Sequence, residues 1–176
     1  MSIRRPDGFA LIDLLFVIGI IGVLSIIALP KLLLAKQAAG AASAIGSLRS
    51  VNSAQLTFAL TCGAGFYAPN LTTLGMAPAG SPEAFISPNL ATGDTVMRAG
   101  YTIQLKGVPY AGAPSSCNGL AAGAAAQGFK AAADPNQAEN KRYFATNSNG
   151  QMYEHNGSLW AIIGESGEPP AGHLLH

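Results

Sequence analysis

Charge is scarce. Only 11% of the 176 residues are Asp, Glu, Lys or Arg, against about 25% in an ordinary soluble domain. Ten basic and nine acidic residues nearly cancel, leaving a formal charge of +1. There is neither the basic surplus expected of a nucleic-acid partner nor an acidic solvating tail. Two cysteines exclude a disulfide-dense scaffold and lack zinc-finger spacing. His155, His173 and His176 have no metal-ligand spacing with cysteine or with one another, so no metal site and no cofactor are expected. No phosphate-binding loop or dinucleotide fingerprint is present. Gly164-Glu-Ser166-Gly-Glu168 lacks the final glycine of a nucleophile elbow, and Pro169-Pro170 stop a helix from following it. No catalytic residue is therefore expected, and the chain reads as something other than an enzyme. Asn70-Leu-Thr72 and Asn156-Gly-Ser158 match the N-glycosylation triplet, a pattern too short to decide anything.

What the chain has in abundance is apolar surface: 49% of residues are hydrophobic, and the mean hydropathy is +0.29. The surplus is concentrated near the N-terminus. From Phe9 to Leu29 run 21 residues with one charge, Asp13. As a helix this stretch spans roughly 30 Å, the thickness of a bilayer core. Arg4 and Arg5 before it favour a cytoplasmic N-terminus, although Lys31 and Lys36 follow it. A secretory signal cut near Ala41–Ala44 would have a shorter apolar core. A plain single-pass anchor fits the length but leaves Asp13 without a role, and a buried core helix fits poorly at this hydropathy. An ionised carboxylate in a bilayer core costs about 2.5–3.5 kcal/mol on insertion scales. The apolar stretch holds no Lys, Arg or His. A partner for Asp13 must come from another chain or from an amine made by proteolysis before Phe9. The alternative is a protonated Asp13 near the interface.

Arg4-Arg-Pro-Asp-Gly8 followed by Phe9-Ala-Leu-Ile-Asp13-Leu-Leu resembles the prepilin signal of type IV pilins and type II secretion pseudopilins. Gly22 and Pro30 also stand where that family carries a Gly and a Pro. The resemblance covers residues 4–31. It implies that a membrane prepilin peptidase cuts between Gly8 and Phe9 and methylates Phe9. It also implies that Asp13 is the assembly acid, pairing with the N-terminal amine of a neighbouring subunit in a homo-oligomeric filament. The further implied partners are the inner membrane and its assembly machinery. The sequence departs from the family pattern in having Asp13 where Glu is usual, Ala10 where Thr is common, and Asp7 in the leader. A buried ion pair adds little stability but can fix register, here the axial register of stacked helices.

Beyond Pro30 the pattern stays helical and becomes amphipathic. Ala38, Ala41, Ala44, Ile45, Leu48, Val51, Gln55 and Phe58 recur mostly at spacings of three and four. A helix from Phe9 to about Ala59 would be about 75 Å long, with a bend expected at Pro30, which has no N–H, and loosening near Gly22. Residues 61–99 read as a connecting loop with one short helix near Pro82–Ile86. Strands are expected at Gly100–Lys106, Gly128–Ala133, Arg142–Thr146, Gln151–His155 and Ser158–Ile163. Asp134-Pro135 is expected to stop the second of these. Asn149-Gly150 is expected to form a type I′ hairpin turn. Residues 164–176 read as a loose tail.

The predicted fold is thus α+β. A leader (1–8) precedes a transmembrane or filament-core half-helix (9–30), an amphipathic half-helix (31–60), the loop (61–99), an antiparallel sheet (100–163) and the tail. The layout is also similar to the pilin globular domain. The sequence shows no acidic, Gly-rich C-terminal calcium loop of the kind the major pseudopilin carries, which favours a type IV pilin over a type II secretion pseudopilin. A reading of another class is a single-pass anchor bearing a ligand-binding domain. If the C-terminal part lies outside the cytoplasm, Cys62 and Cys117 can bridge the helix end to the loop between strands; the alternative is two unrelated thiols. Removing residues 1–8 leaves eight basic and eight acidic residues, a near-neutral subunit inclined to associate.

Overall fold

The computed structural model describes residues 11–175 and divides into two compact units, with the boundary after Ala38. Helix α1, Leu11–Thr61, runs through both and carries Pro30 within it. The helix continues unbroken through Pro30. The missing N–H there leaves the Ile26 carbonyl without its usual intrahelical donor.

In the first unit the helix buries almost nothing. Every Leu, Ile, Val and Phe from Leu11 to Leu34 is exposed. The polar Ser25 hydroxyl turns back onto the Ile21 carbonyl at 2.8 Å, which satisfies it within the helix.

The second unit is an antiparallel sheet with the C-terminal part of α1 on one face. Gly40, Ala41, Ala44, Ser47, Leu48, Val51, Ala54, Gln55, Phe58 and Ala59 are buried, the three-and-four spacing of one helix face. After α1 come a short helix α2 (Leu71–Leu74), a single 3-10 turn (Pro88–Leu90) and six strands: β1 (Thr95–Arg98), β2 (Tyr101–Lys106), β3 (Lys130–Pro135), β4 (Tyr143–Asn147), β5 (Met152–His155) and β6 (His173–Leu174). The strands follow one another across the sheet in chain order, each antiparallel to the last. Every strand pairs with its neighbour in sequence, although residues 107–129 and 156–172 make the β2–β3 and β5–β6 connections long.

Alternation along each strand separates two cores. Tyr101, Ile103, Leu105, Ala131, Ala133, Phe144 and Met152 meet the helix face, joined by Leu71, Leu74, Ile86 and Leu90 from the connecting segment. Ala132, Ala145 and Tyr153 point the other way, where Leu159 and Ile163 cover them. Small residues set the helix–sheet distance. A Cβ on Gly40 would lie 2.8 Å from the Ala99 carbonyl oxygen, closer than real Cβ atoms approach anything.

Several boundaries differ from the sequence reading. Residues 61–99 are not merely a loop, because α2 and β1 lie within them. Asn70 caps α2 by accepting from the Thr73 N–H, a signal visible in the sequence. β1 pairs with β2, Val96 opposite Ile103. No helix forms at Pro82–Ile86; Pro82 opens a segment whose Phe85 and Ile86 N–H groups instead reach the Leu74 carbonyl. β3 runs through Asp134-Pro135 rather than stopping before it, since Pro135 is the last residue and its missing N–H costs no interior bond. Ser158–Ile163 is not a strand. It turns on itself, with Ile163 N–H bonding the Leu159 carbonyl, and lays Leu159 and Ile163 over the second sheet face. The tail is not wholly loose, because His173 and Leu174 add β6 to the sheet edge opposite Glu154 and Tyr153. The hairpin at Asn149-Gly150 forms, but not as a type I′ turn. Only Gly150 has a positive φ, 74°, after a turn closed by its N–H to the Asn147 carbonyl.

Candidate functional site

The residues singled out in the sequence fall in three places. Gly8 and Phe9 lie outside the described residues. Asp13, Gly22 and Pro30 lie on α1 in the first unit, and Cys62 and Cys117 lie in the second. Only the two cysteines are brought together.

Asp13 lies on α1, near the start of the described residues. It is exposed among exposed apolar neighbours, Leu11, Ile12, Leu14 and Leu15. A Cβ at Gly22 would meet nothing within 4 Å, so this glycine leaves a notch on an open helix surface. The segment is long and apolar enough to cross a membrane. Each large aliphatic side chain left in water forgoes about 1.5–3 kcal/mol of burial. Burial in a lipid phase or among other apolar helices would recover that free energy.

Cys62 and Cys117 form a disulfide, with Cα atoms 4.9 Å apart. The bond ties the end of α1 to the long loop between β2 and β3. Cys117 N–H also bonds the Cys62 carbonyl. The helix terminus is closed by the Cys62 and Gly63 N–H groups on the Phe58 carbonyl.

Polar side chains that the sequence did not single out for pairing hold the domain together. Gln55, fully buried, exchanges two hydrogen bonds with the Ala68 backbone. Asn52 Nδ2 donates to Thr146 Oγ1 at 2.8 Å, joining α1 to β4. Buried Asn147 donates to the Gly164 and Gly167 carbonyls and anchors the segment after Ile163. Arg142 grips Glu154 with two guanidinium nitrogens and stacks its head 5.2 Å from the Phe144 ring centre. That grip holds the Glu154 carboxyl below its ordinary value. Ser158 donates to Asp134 Oδ2, while Asp134 Oδ1 is buried without a partner. Burial pushes the Asp134 carboxyl up. Asn at a capping or hairpin position is legible in a sequence; a pairing such as Asn52 with Thr146, 94 residues away, has no local signature.

Among the described residues, no group of three or more His, Cys, Asp or Glu could hold a metal ion. Comparison with protein-family models, with curated proteins and with solved structures finds no match to this chain.

Proposed function

We propose that the chain is the prepilin-like structural subunit of a type IV pilus-like filament, held in the inner membrane by the apolar half of α1 before assembly. Prepilin peptidase cuts it after Gly8 and methylates Phe9. Asp13 then meets the amine of a neighbouring subunit, and the subunits stack through their apolar helices into a filament at the cell surface. In this reading the chain catalyses nothing.

The observation that carries the reading is the two-part character of α1. One part is apolar and exposed throughout, with a single acid, Asp13; the other part is small-residue-rich and buried against an antiparallel sheet. A simple anchor needs the apolar part but neither the acid nor the small-residue packing. The leader motif at residues 4–9 supplies the processing step.

The test is the intact mass and N-terminal residue of the protein in material sheared from cells. A methylated Phe9 in the sheared fraction is the expected result. Methylated Phe9 confined to the membrane fraction would favour a type II secretion pseudopilin or an unassembled pool. A start near Ala44 would make the apolar stretch a cleaved secretory signal and overturn the filament reading.

A further inference from the structure

Above the second face of the sheet, at its junction with the connecting segment, lies a groove of about 380 Å³. That volume is within the range of small-molecule sites. It is lined by Pro69, Asn70, Asp94, Thr95, Gln104, Lys106 and Trp160, among others. The register explains the convergence. Thr95 stands opposite Gln104 across β1 and β2, and Lys106 opposite Lys130 across β2 and β3. Tyr101, Ile103 and Leu105 face the helix, so Gln104 and Lys106 share the other face.

Trp160 is the only tryptophan in the chain. It belongs to the segment that the sequence reading made a strand, and it is half-buried. Lys130 fixes it twice: Nζ donates to the Trp160 carbonyl at 2.8 Å and lies 4.8 Å from the ring centre. An indole held in this way presents a rigid apolar plate at little entropic cost.

The same groove is lined by polar groups with bonding capacity to spare. Among the described residues, the Gln104 amide, the Thr95 hydroxyl and the Lys106 ammonium make no side-chain hydrogen bond, and the Asn70 side-chain NH₂ donates to nothing. Asn70 Oδ1 is committed to Thr73, and Asp94 Oδ1 accepts from Thr72, which orients both side chains. Asp94 Oδ2 remains open as an acceptor. The set therefore mixes donors and acceptors, and its two charges, Lys106 and Asp94, cancel.

We propose that this groove binds a neutral saccharide ring. A sugar hydroxyl both donates and accepts, which suits a mixed set of amide, carboxylate, hydroxyl and ammonium groups. The C–H face of the ring packs on the indole. A phosphate or carboxylate ligand would meet Asp94, and a wholly apolar ligand would strip water from five polar groups without replacing their bonds. The inference concerns the second unit alone and does not depend on whether the chain assembles into a filament.

The test uses the full chain in micelles of a detergent without a sugar headgroup, titrated with glucose, galactose, mannose, N-acetylglucosamine and lactose. Emission from Trp160 reports occupancy directly, since no other tryptophan contributes. A saturable change with at least one of these sugars is expected. Asp94→Asn and, independently, Gln104→Ala should each weaken it by about tenfold or more, with circular dichroism unchanged. The absence of a saturable change with any of the five sugars would overturn the proposal. So would saturation that both variants leave untouched, or tighter saturation by inorganic phosphate than by any sugar.

Discussion

Gln55 and Ala68 exchange a pair of hydrogen bonds: Gln55 Nε2 donates to the Ala68 carbonyl at 2.8 Å, and the Ala68 N–H donates to Gln55 Oε1 at 2.9 Å. Both residues are fully buried. The side-chain amide replaces a strand for one residue of the segment leaving α1, so that a non-repetitive backbone can cross the core with its polar groups satisfied. Gln55→Leu, close in volume, removes both bonds and orphans both Ala68 groups. A loss of about 2 kcal/mol or more is expected, read from the urea midpoint of the full chain. An unchanged midpoint would show that the segment re-pairs elsewhere.

The disulfide joins residues 55 apart in sequence. Closing a loop of that length in the unfolded chain contributes about 4 kcal/mol in the chain-entropy account. Cys62→Ser with Cys117→Ser should lower the denaturant midpoint accordingly, and reductant should do the same to the unmodified chain. Equal midpoints with and without reductant would contradict the estimate.

Two helical glycines should respond in opposite directions to alanine. At Gly40 the new methyl meets the Ala99 carbonyl oxygen at 2.8 Å, a backbone atom in the β1–β2 turn that cannot swing aside. Gly40→Ala should cost about 1–3 kcal/mol of overpacking, partly offset by better helix propensity. At Gly46 a Cβ meets nothing within 4 Å, so Gly46→Ala should gain up to about 1 kcal/mol. Parallel thermal melts decide the matter; destabilisation at Gly46 would contradict the open surface there.

Glu154 and Asp134 should give the stability–pH curve opposing contributions. The Arg142 hydrogen bonds lower the Glu154 pKa from its ordinary 4.5. The unfolded chain therefore takes up that proton first as pH falls. Stability from this pair is complete above the ordinary value and disappears as pH drops through the lowered one. Burial raises the Asp134 pKa above 3.8, so here the folded chain is protonated first. Stability from Asp134 rises as pH falls through the raised value, and the rise is complete below 3.8. Glu154→Gln should thus destabilise at pH 7 by about 1 kcal/mol or less, as suits a half-exposed pair, with the difference shrinking in acid. Asp134→Asn keeps an acceptor for Ser158 and should stabilise at pH 7, with its advantage also fading in acid. Denaturant midpoints at pH 7 and in acid test both signs.

Asp13→Ala should leave membrane insertion intact, because it removes the one charge from an apolar segment, while abolishing incorporation into filaments. Normal fibres from this variant would remove Asp13 from assembly. Gly8→Ala should leave the chain uncut, and a variant still beginning at Phe9 would contradict peptidase processing. Both are read by immunoblot of sheared and membrane fractions with N-terminal analysis.

What could be read from the linear chain follows periodicity and local chemistry. The apolar run, the three-and-four spacing from Ala41 to Phe58, the alternation in Tyr101–Lys106 and the Asn149-Gly150 turn depend on neighbours in sequence, and so did the α+β class. Gln55 was placed correctly on the buried helix face, but its partner was not foreseeable, because Ala68 presents only backbone. β1 and β6 were missed because short strands at sheet edges carry little alternation of their own; Thr95–Arg98 has a single buried residue. Ser158–Ile163 has the composition of a strand, but Asn147 and the Gly164 carbonyl turn it aside to cap the second core. The sequence alone thus determined the membrane-length helix, its acid and the sheet that follows the helix. Only the tertiary structure decided that Cys62 meets Cys117, that Gly40 lies against the Ala99 carbonyl, and that Trp160 lines one groove with Gln104 and Lys106, because each relates residues whose separation along the chain exceeds the reach of any local rule.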